Sequence, residues 1–409
     1  MSRLVATRVL FRVATDGAFA TPTLDAEIRR SRLSSQDAGL ATEIVYGALR
    51  VLPELDRVLD ERLKTPKTTD PWLRAALRVG AYQLLHLSRV PPHAAVSETV
   101  SACRAERGPK LAGVANAVLR RIAKERPAEP TPPTQMIVPP WLDACVRRGL
   151  GAERADVFFG ARRLPPPLGL RFAAPPTDEQ LAALGPDAKR SELAPRGVEV
   201  RGVGDPRALP GYEEGAFAVQ ELGSQLVVER VGAQPGERVA DLCAGHGTKT
   251  LALAQAVGPT GHVVAVDLYE EKLDRLESER ARLGIEASRV ETRPVDLSRG
   301  LGGLEPGSFD RVLVDAPCTG LGTIHRRPEL ALRLGPSDPA RLADLQRTLV
   351  ATAAPLVRPG GVLVLATCSA AYEEGPGLAD ALDGTPTVEA IGPWLGEDVD
   401  AYHVLVWRR

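Results

Sequence analysis

Two apolar runs each end on a cysteine: VLVDAPCTG at residues 312 to 320 carries Cys318, and VLVLATCSAAYEE at residues 362 to 374 carries Cys368. An unbroken run of Val, Leu and Ala suits a strand buried on both faces. A residue just past its C-terminal end then stands at the edge where open α/β sheets bind ligands. Most free cysteines are small buried hydrophobes. Here Asp315 and Pro317 precede Cys318, so a carboxylate and a stiff turn reach that edge with the thiol. A thiolate is a strong nucleophile at modest pKa.

A second feature lies upstream, in DLCAGHGTKTLALA at residues 241 to 254, which reads as strand, glycine-rich turn and helix. A P-loop needs GxxxxGK[ST], and Thr248 stands before Lys249 where that motif requires glycine. A dinucleotide GxGxxG needs a third glycine where Thr250 stands. What remains is the Asp-x-x-x-Gly-x-Gly arrangement of an S-adenosylmethionine site, although such a turn can also be purely structural. Asp267, which ends HVVAVD, can accept hydrogen bonds from both ribose hydroxyls, and Asp296, which ends RVETRPVD, would sit near the adenine. A thiolate beside a methyl donor suits methylation of a pyrimidine at carbon 5. Addition of the thiolate to carbon 6 makes carbon 5 nucleophilic, and a second group can help remove the carbon 5 proton and expel the thiolate.

The elements that must position these residues follow from changes of pattern. From Leu4 to Glu125 apolar residues recur every three or four positions, as in Val45, Leu49, Leu52, Leu55, Leu59 and Leu63. Asp70-Pro71 reads as a cap followed by proline, so a bundle of helices is predicted. Residues 126 to 140, RPAEPTPPTQMIVPP, carry six prolines and read as a linker. Residues 141 to 220 mix helical and strand-like pieces around PPPLGLRFAAPP, the entry to a small α+β unit. After Glu237, strand-like ERVADLC, HVVAVD, RVETRPVD, FDRVLVDAP and GGVLVLATCS alternate with helical stretches, one of them charged over 270 to 283. That alternation predicts a parallel sheet covered on both faces.

The 409 residues allow two or three domains at roughly 100 to 200 residues each. With 44% hydrophobic and 25% charged residues the chain is globular, neither disordered nor fibrous. The net charge of -1 hides +10 over residues 1 to 171 and -11 over the rest. A basic N-terminal part suits contact with a polyanion, and an ordinary Arg-rich surface accounts for it equally well. Cys103, Cys145, Cys243, Cys318 and Cys368 form no CxxC pair and no ligand spacing with the histidines, so neither zinc nor a disulfide framework is expected. MSRLVATRVLFRVATDG bears arginines as a transit peptide does, lacks the apolar core of a secretory signal, and reads as the first helix of the bundle. No stretch approaches about 18 uninterrupted apolar residues, so no membrane helix is expected; a cytoplasmic location and a monomeric state are separate expectations.

DAPCTG together with ATCS resembles the signature of the RsmB (Fmu/Sun) type of ribosomal RNA cytosine-5 methyltransferase, with one cysteine after Asp-Ala-Pro and one in Thr-Cys-Ser. The resemblance covers nearly the whole chain. VPPHAAVSETV (90 to 100) and GVANAVLRRIAKE (113 to 125) are similar to the NusB-like RNA-binding domain of that type. GLGTIHRRPE (320 to 329) resembles the loop after the first cysteine, and QLVVERVGAQPGERVADLCAG (225 to 245) the approach to the cofactor.

The resemblance implies an all-α NusB-like domain over 1 to 126, a Pro-rich linker over 127 to 140 and a connecting α+β subdomain over 141 to 220. A Rossmann-like class I methyltransferase domain with a mostly parallel seven-stranded sheet is implied over 221 to 409. The implied activity is S-adenosyl-L-methionine-dependent methylation of cytosine carbon 5 in RNA, with small-subunit ribosomal RNA the first candidate. Cys368 is then the nucleophile, Cys318 assists release of the methylated base and Asp315 holds ring nitrogen 3. Cys243, Ala244, Gly245, His246, Gly247, Thr248 and Lys249, with Asp267, Asp296 and Asp315, would line the cofactor site. Lys249 either reaches the ligands or is a solvated first-turn lysine.

The chain departs from the family in two places. Ala-Gly-His-Gly-Thr-Lys-Thr (244 to 250) replaces the usual Ala-Ala-Pro-Gly-Gly-Lys-Thr, a change toward the Gly-x-Gly of other class I enzymes, so cofactor binding is expected to survive with His246 as a turn residue. EDVDAYHVLVWRR stands where the family often has Asp-Gly-Phe-Phe. A noncatalytic RNA-binding or ribosome assembly factor, and the same chemistry on transfer RNA, are the rival readings.

Overall fold

The structure is a computed structural model that describes the chain except residues 132, 134, 161–165, 382 and 383. The helical period of the first 125 residues is realised as α1 (Ser2–Asp16), α2 (Ala20–Ser31), α3 (Ser35–Arg50), α4 (Leu52–Asp60), α5 (Pro71–His86) and α6 (Pro92–Glu125). Apolar phase runs unbroken from Val45 to Leu63, but the backbone does not: Val51 leaves the helical region (φ -121°, ψ 23°) and Pro53 opens α4. The Asp70 carboxylate accepts the Leu73 N–H at 2.8 Å, and Pro71 takes a first-turn position that needs no donor. Gly108, with φ 78°, kinks α6 just before Pro109. Val9, Leu49, Leu77, Leu119 and Ile122 meet in one buried core. Part of the Pro-rich stretch is tied to this unit, since Ile137 N–H donates to Arg50 O at 2.9 Å. Residues 132 and 134 of that stretch, and Pro165 at the head of PPPLGLRFAAPP, lie outside the described residues.

The second unit begins within α7 (Pro140–Leu150), at Ala144, and takes in α8 (Ala152–Phe159) up to Phe158. Its small antiparallel sheet, in the order β2-β3-β1-β4, is built from β1 (Leu168–Phe172), β2 (Lys189–Arg190), β3 (Gly197–Val200) and β4 (Phe217–Val219), with α9 (Asp178–Leu184) beside it. After α10 (Leu222–Val231) come β5 (Arg238–Leu242), α11 (Thr248–Val257), β6 (His262–Asp267), α12 (Glu270–Arg282), β7 (Val290–Pro294) and β8 (Phe309–Asp315). They form a seven-stranded sheet in the order β10-β11-β9-β8-β5-β6-β7 with β9 (Val357–Thr367), β10 (Thr387–Ile391) and β11 (Tyr402–Arg408). β7, β6, β5, β8 and β9 pair in parallel, while β11 runs antiparallel to both of its neighbours. Val263, Ala265 and Val364 face one apolar layer, and Val264, Val314 and Leu365 the other, so the sheet is buried on both faces as its unbroken apolar runs predict.

Between β8 and α14 (Asp338–Ala353) the chain passes into α13 (Leu330–Arg333), and residues Ile324–Leu334 group with the helical unit. Buried Glu329 accepts the Ala20 N–H at 3.1 Å, and Arg50 donates to His325 O at 3.1 Å. Part of the stretch that resembles the loop after the first cysteine therefore packs among helices rather than on the sheet.

Candidate active site

β5 and β8 are neighbours in the sheet although β6 and β7 come between them in sequence, so the strand order reverses there and a crevice opens at their C-terminal tips. The turn after β5 is held by backbone. Ala244 N–H donates to Val266 O at 2.8 Å and Gly245 N–H to the Asp267 carboxylate at 2.8 Å. Gly247 has φ 82°, and a Cβ there would collide with the Leu276 side chain, so glycine is required on both counts. Half-buried Thr248 opens α11, and Thr250 donates its hydroxyl to the Asp241 carboxylate at 2.6 Å. Burial pushes the Asp241 pKa up to about 7, opposed by the Thr250 hydrogen bond and assisted by Asp315. Its second oxygen has no hydrogen-bond partner among the described residues.

Asp267 is buried at the tip of β6 and also accepts from Tyr269 N–H at 3.0 Å and Lys272 at 3.3 Å. A carboxylate offers roughly four lone-pair sites, so a hydroxyl can still be accommodated. Lys249 is buried, which excludes the solvated reading, and its Nζ donates to Asp315 at 2.7 Å. Burial works against its charge, but Asp315 outweighs it, with Cys368 and Asp241 adding, so its pKa is raised.

Parallel pairing sets Asp315 opposite Ala366, and just beyond these tips Cys318 Sγ lies 3.3 Å from Cys368 Sγ. The hydrogen bond to Cys368, burial and the charge of Cys368 raise the Cys318 pKa well above the usual thiol value. Both cysteine turns are tied to Glu374, which is fully buried. Its carboxylate accepts from Thr319 N–H at 2.8 Å, the Thr319 hydroxyl, the Ser369 hydroxyl at 2.6 Å and Gln346 at 3.1 Å. Gln346, on α14, also donates to Pro317 O at 3.0 Å. Gly322 N–H donates to Cys368 O and its carbonyl accepts from Ala401 N–H, both at 3.0 Å, and a Cβ at Gly322 would overlap Ala401 O. A few residues past Cys368, Arg148 of α7 lies over the Tyr372 ring at 5.7 Å and pairs with Glu373.

Lys249, Asp315, Cys318 and Cys368 thus converge. Others from the sequence do not. Asp296 lies past the end of β7, half-buried, and its carboxylate accepts from Ser298 N–H at 3.1 Å and pairs with Arg299 at 3.1 Å. His246 is exposed. Cys243, at φ 64°, has its thiol pushed up to about 12 by burial with Asp315 and Asp267 adding, which disfavours its thiolate. Sequence reasoning missed Glu374, whose only signal was its place in ATCSAAYEE, and Tyr402 in the divergent DAYHVLVW. The Tyr402 ring lies 5.8 Å from Lys249 Nζ, so that tail reaches the site after all.

A sheet of this order, with the glycine turn after its first strand and a carboxylate ending the second, defines a class I S-adenosylmethionine-dependent methyltransferase. The family model described as 16S rRNA methyltransferase RsmB/F matches residues 230–393, and the NusB family model matches residues 1–124. The chain is 31% identical over 385 residues to the probable ribosomal RNA small subunit methyltransferase B of Bacillus subtilis (strain 168), covering 90% of this chain and 84% of that one. It is 36% identical over 448 residues to the putative methyltransferase MT1451 of Mycobacterium tuberculosis, covering 99% and 93%. The crystal structure of PH0851 shares the fold, with TM-score 0.77 and 24% identity over 98% of each chain. This chain belongs to the RsmB/F family of RNA methyltransferases.

Proposed function

We propose that the protein methylates carbon 5 of a cytosine in small-subunit ribosomal RNA, in the cytoplasm, through a transient covalent bond from Cys368. The observation that carries this reading is the pair of thiols 3.3 Å apart beside the Lys249–Asp315 ion pair. S-adenosylmethionine, when bound, supplies the methyl group as an electrophile. Gly245, Gly247 and Asp267 would hold it, with Asp296 at the periphery of the adenine end. Gly245 suits this role, since even a Cβ on it would meet open space.

The Cys368 thiolate adds to carbon 6 of a base that has left its stack. Ring nitrogen 3 of neutral cytosine carries no hydrogen, so it takes up the proton that the Cys368 thiol gives up as the adduct forms, and Asp315, oriented by Lys249, accepts a hydrogen bond from that new N–H and so favours the electron-rich adduct. The largest causes of the raised Cys318 pKa include a hydrogen bond and a charge from Cys368 itself. Both disappear once Cys368 becomes a thioether. Cys318 then releases its proton to solvent more readily, its thiolate takes the proton from carbon 5, and the ring expels the Cys368 thiolate, which recovers its proton as ring nitrogen 3 gives one up.

The test is methyl transfer from labelled S-adenosylmethionine to unmodified small-subunit ribosomal RNA, with bisulfite mapping of the product. Cys368→Ser is expected to abolish incorporation while cofactor affinity is kept. Cys318→Ala is expected to accumulate a denaturation-resistant protein–RNA band that Cys318→Ala/Cys368→Ser lacks. Wild-type activity in Cys368→Ser would sink the proposal.

A further inference from the structure

In β1, Leu170 and Phe172 pack with Val198 and Phe217 in the apolar cluster of the small sheet, which turns Arg171 to the opposite face. There Arg171, 4% exposed, lines a cavity of about 450 Å³ together with Arg196, Gln225, Glu229, Ala252 and Ala256. Its Nε donates to Gln220 at 2.6 Å and its Nη1 to Gln255, both neutral acceptors, and its Nη2 has no partner among the described residues. The Gln225 amide is fixed by donating to Leu170 O at 3.1 Å and Gln220 O at 2.9 Å, and its oxygen is left without a donor. Arg196 is half-buried. Burial and the charge of Arg196 pull the Arg171 pKa down to about 10, with Glu229 and Glu279 opposing.

A buried guanidinium held only by neutral amides lacks the paired charge that usually accompanies one. Water can satisfy the orphan donor and the orphan acceptor, and Glu229 at the cavity wall offsets one charge without an ion pair to either guanidinium among the described residues, which leaves a net positive cavity that water does not neutralise. An anion with several acceptor oxygens and one neighbouring hydroxyl answers all three demands, and the cavity has the volume of an ordinary ligand site. We propose that this cavity binds a phosphate group, with its oxygens accepting from Arg171 Nη2 and Arg196. The hydroxyl donating to Gln225 would be a P–OH of free phosphate or a ribose 2′-hydroxyl of RNA. α11 lines the cavity through Ala252 and Ala256 and carries Lys249 at its other end. At about 1.5 Å per residue, Ala256 lies roughly 10 Å along the axis from Lys249, so a strand anchored here is close to the site. The RNA source rests on the function proposed above, and the free-phosphate source does not.

The full-length protein is titrated with inorganic phosphate by calorimetry, and separately with unmodified small-subunit ribosomal RNA over a salt series. Arg196→Ala is expected to weaken phosphate binding about tenfold. RNA affinity should fall by a similar factor, with the log K against log salt slope shallower by about 0.7. Unchanged S-adenosylmethionine affinity reports that the variant is folded. Arg171→Lys, which keeps the charge and loses the planar fork, should weaken both ligands as well. Loss of phosphate affinity with RNA affinity intact assigns the site to the free ion. A folded Arg196→Ala protein that matches wild type toward both ligands overturns the proposal. A wild type that binds phosphate through Arg196 but no RNA refutes the functional reading and leaves this site standing.

Discussion

At the scale of single residues, chemistry depends on which groups the fold strips of water. Lys249 and Asp241 are eight residues apart in one motif and respond oppositely: the lysine keeps its charge through Asp315, while the carboxylate, whose strongest opposing contact is one hydroxyl, has its pKa pushed up to about 7. Unfolded, the same aspartate titrates near about 3.9. The folded state therefore binds more protons between these values. The contribution is fully present below the unfolded pKa and is lost as pH rises through about 7. In differential scanning fluorimetry the wild-type melting temperature is expected to fall between about pH 5 and about pH 8 relative to Asp241→Asn at the same pH. A constant difference between the two proteins across that range would contradict the assignment. The thiols were legible as strand-tip residues, but their separation was not, because it depends on which strands are neighbours.

At the scale of elements, the site is two loops held in register by groups from a third and a fourth. β8 and β9 deliver the cysteines, yet the turns that carry them are fastened through Glu374, with Gln346 of α14 bridging to Pro317. Removing a buried acceptor of this kind leaves donors unsatisfied at about 1–3 kcal/mol each. Glu374→Ala is therefore expected to lower single-turnover methyl transfer by about a hundredfold, while Glu374→Gln, which still accepts, recovers part of it. Cofactor affinity, which the proposed function assigns to the β5 turn and the tip of β6, should change little in calorimetry. An equal loss of cofactor affinity would show general unfolding instead of misplaced thiols. Strand and helix order was readable because an apolar period of two or of three to four is a local property. The break at Val51 and the kink at Gly108 were not, since the apolar phase runs through the first and the second turns on one backbone angle.

At the scale of the whole molecule, the basic charge of the N-terminal part belongs largely to the helical unit. Arg104 and Lys110 flank the kink of α6, are exposed and make no ion pair among the described residues. If they meet phosphates, the double substitution Arg104→Ala/Lys110→Ala should weaken RNA binding and make its salt slope shallower by about 1.4, at roughly 0.7 per contact on a single strand. Filter binding at several salt concentrations measures this, and an unchanged slope would place the RNA elsewhere. The return of Ile324–Leu334 to the helical unit had no signal in the sequence. By itself the sequence determined the element types, the glycine turn, the carboxylate at the tip of β6 and the two strand-tip thiols, because each rests on residue identity and local spacing. Only the tertiary structure decided that Lys249 is buried and paired, that Asp296 stands apart from the converging groups, and that Glu374 and Tyr402 belong to the site. Those facts arise from which strands become neighbours and which side chains lose water, and both depend on residues far apart in the chain.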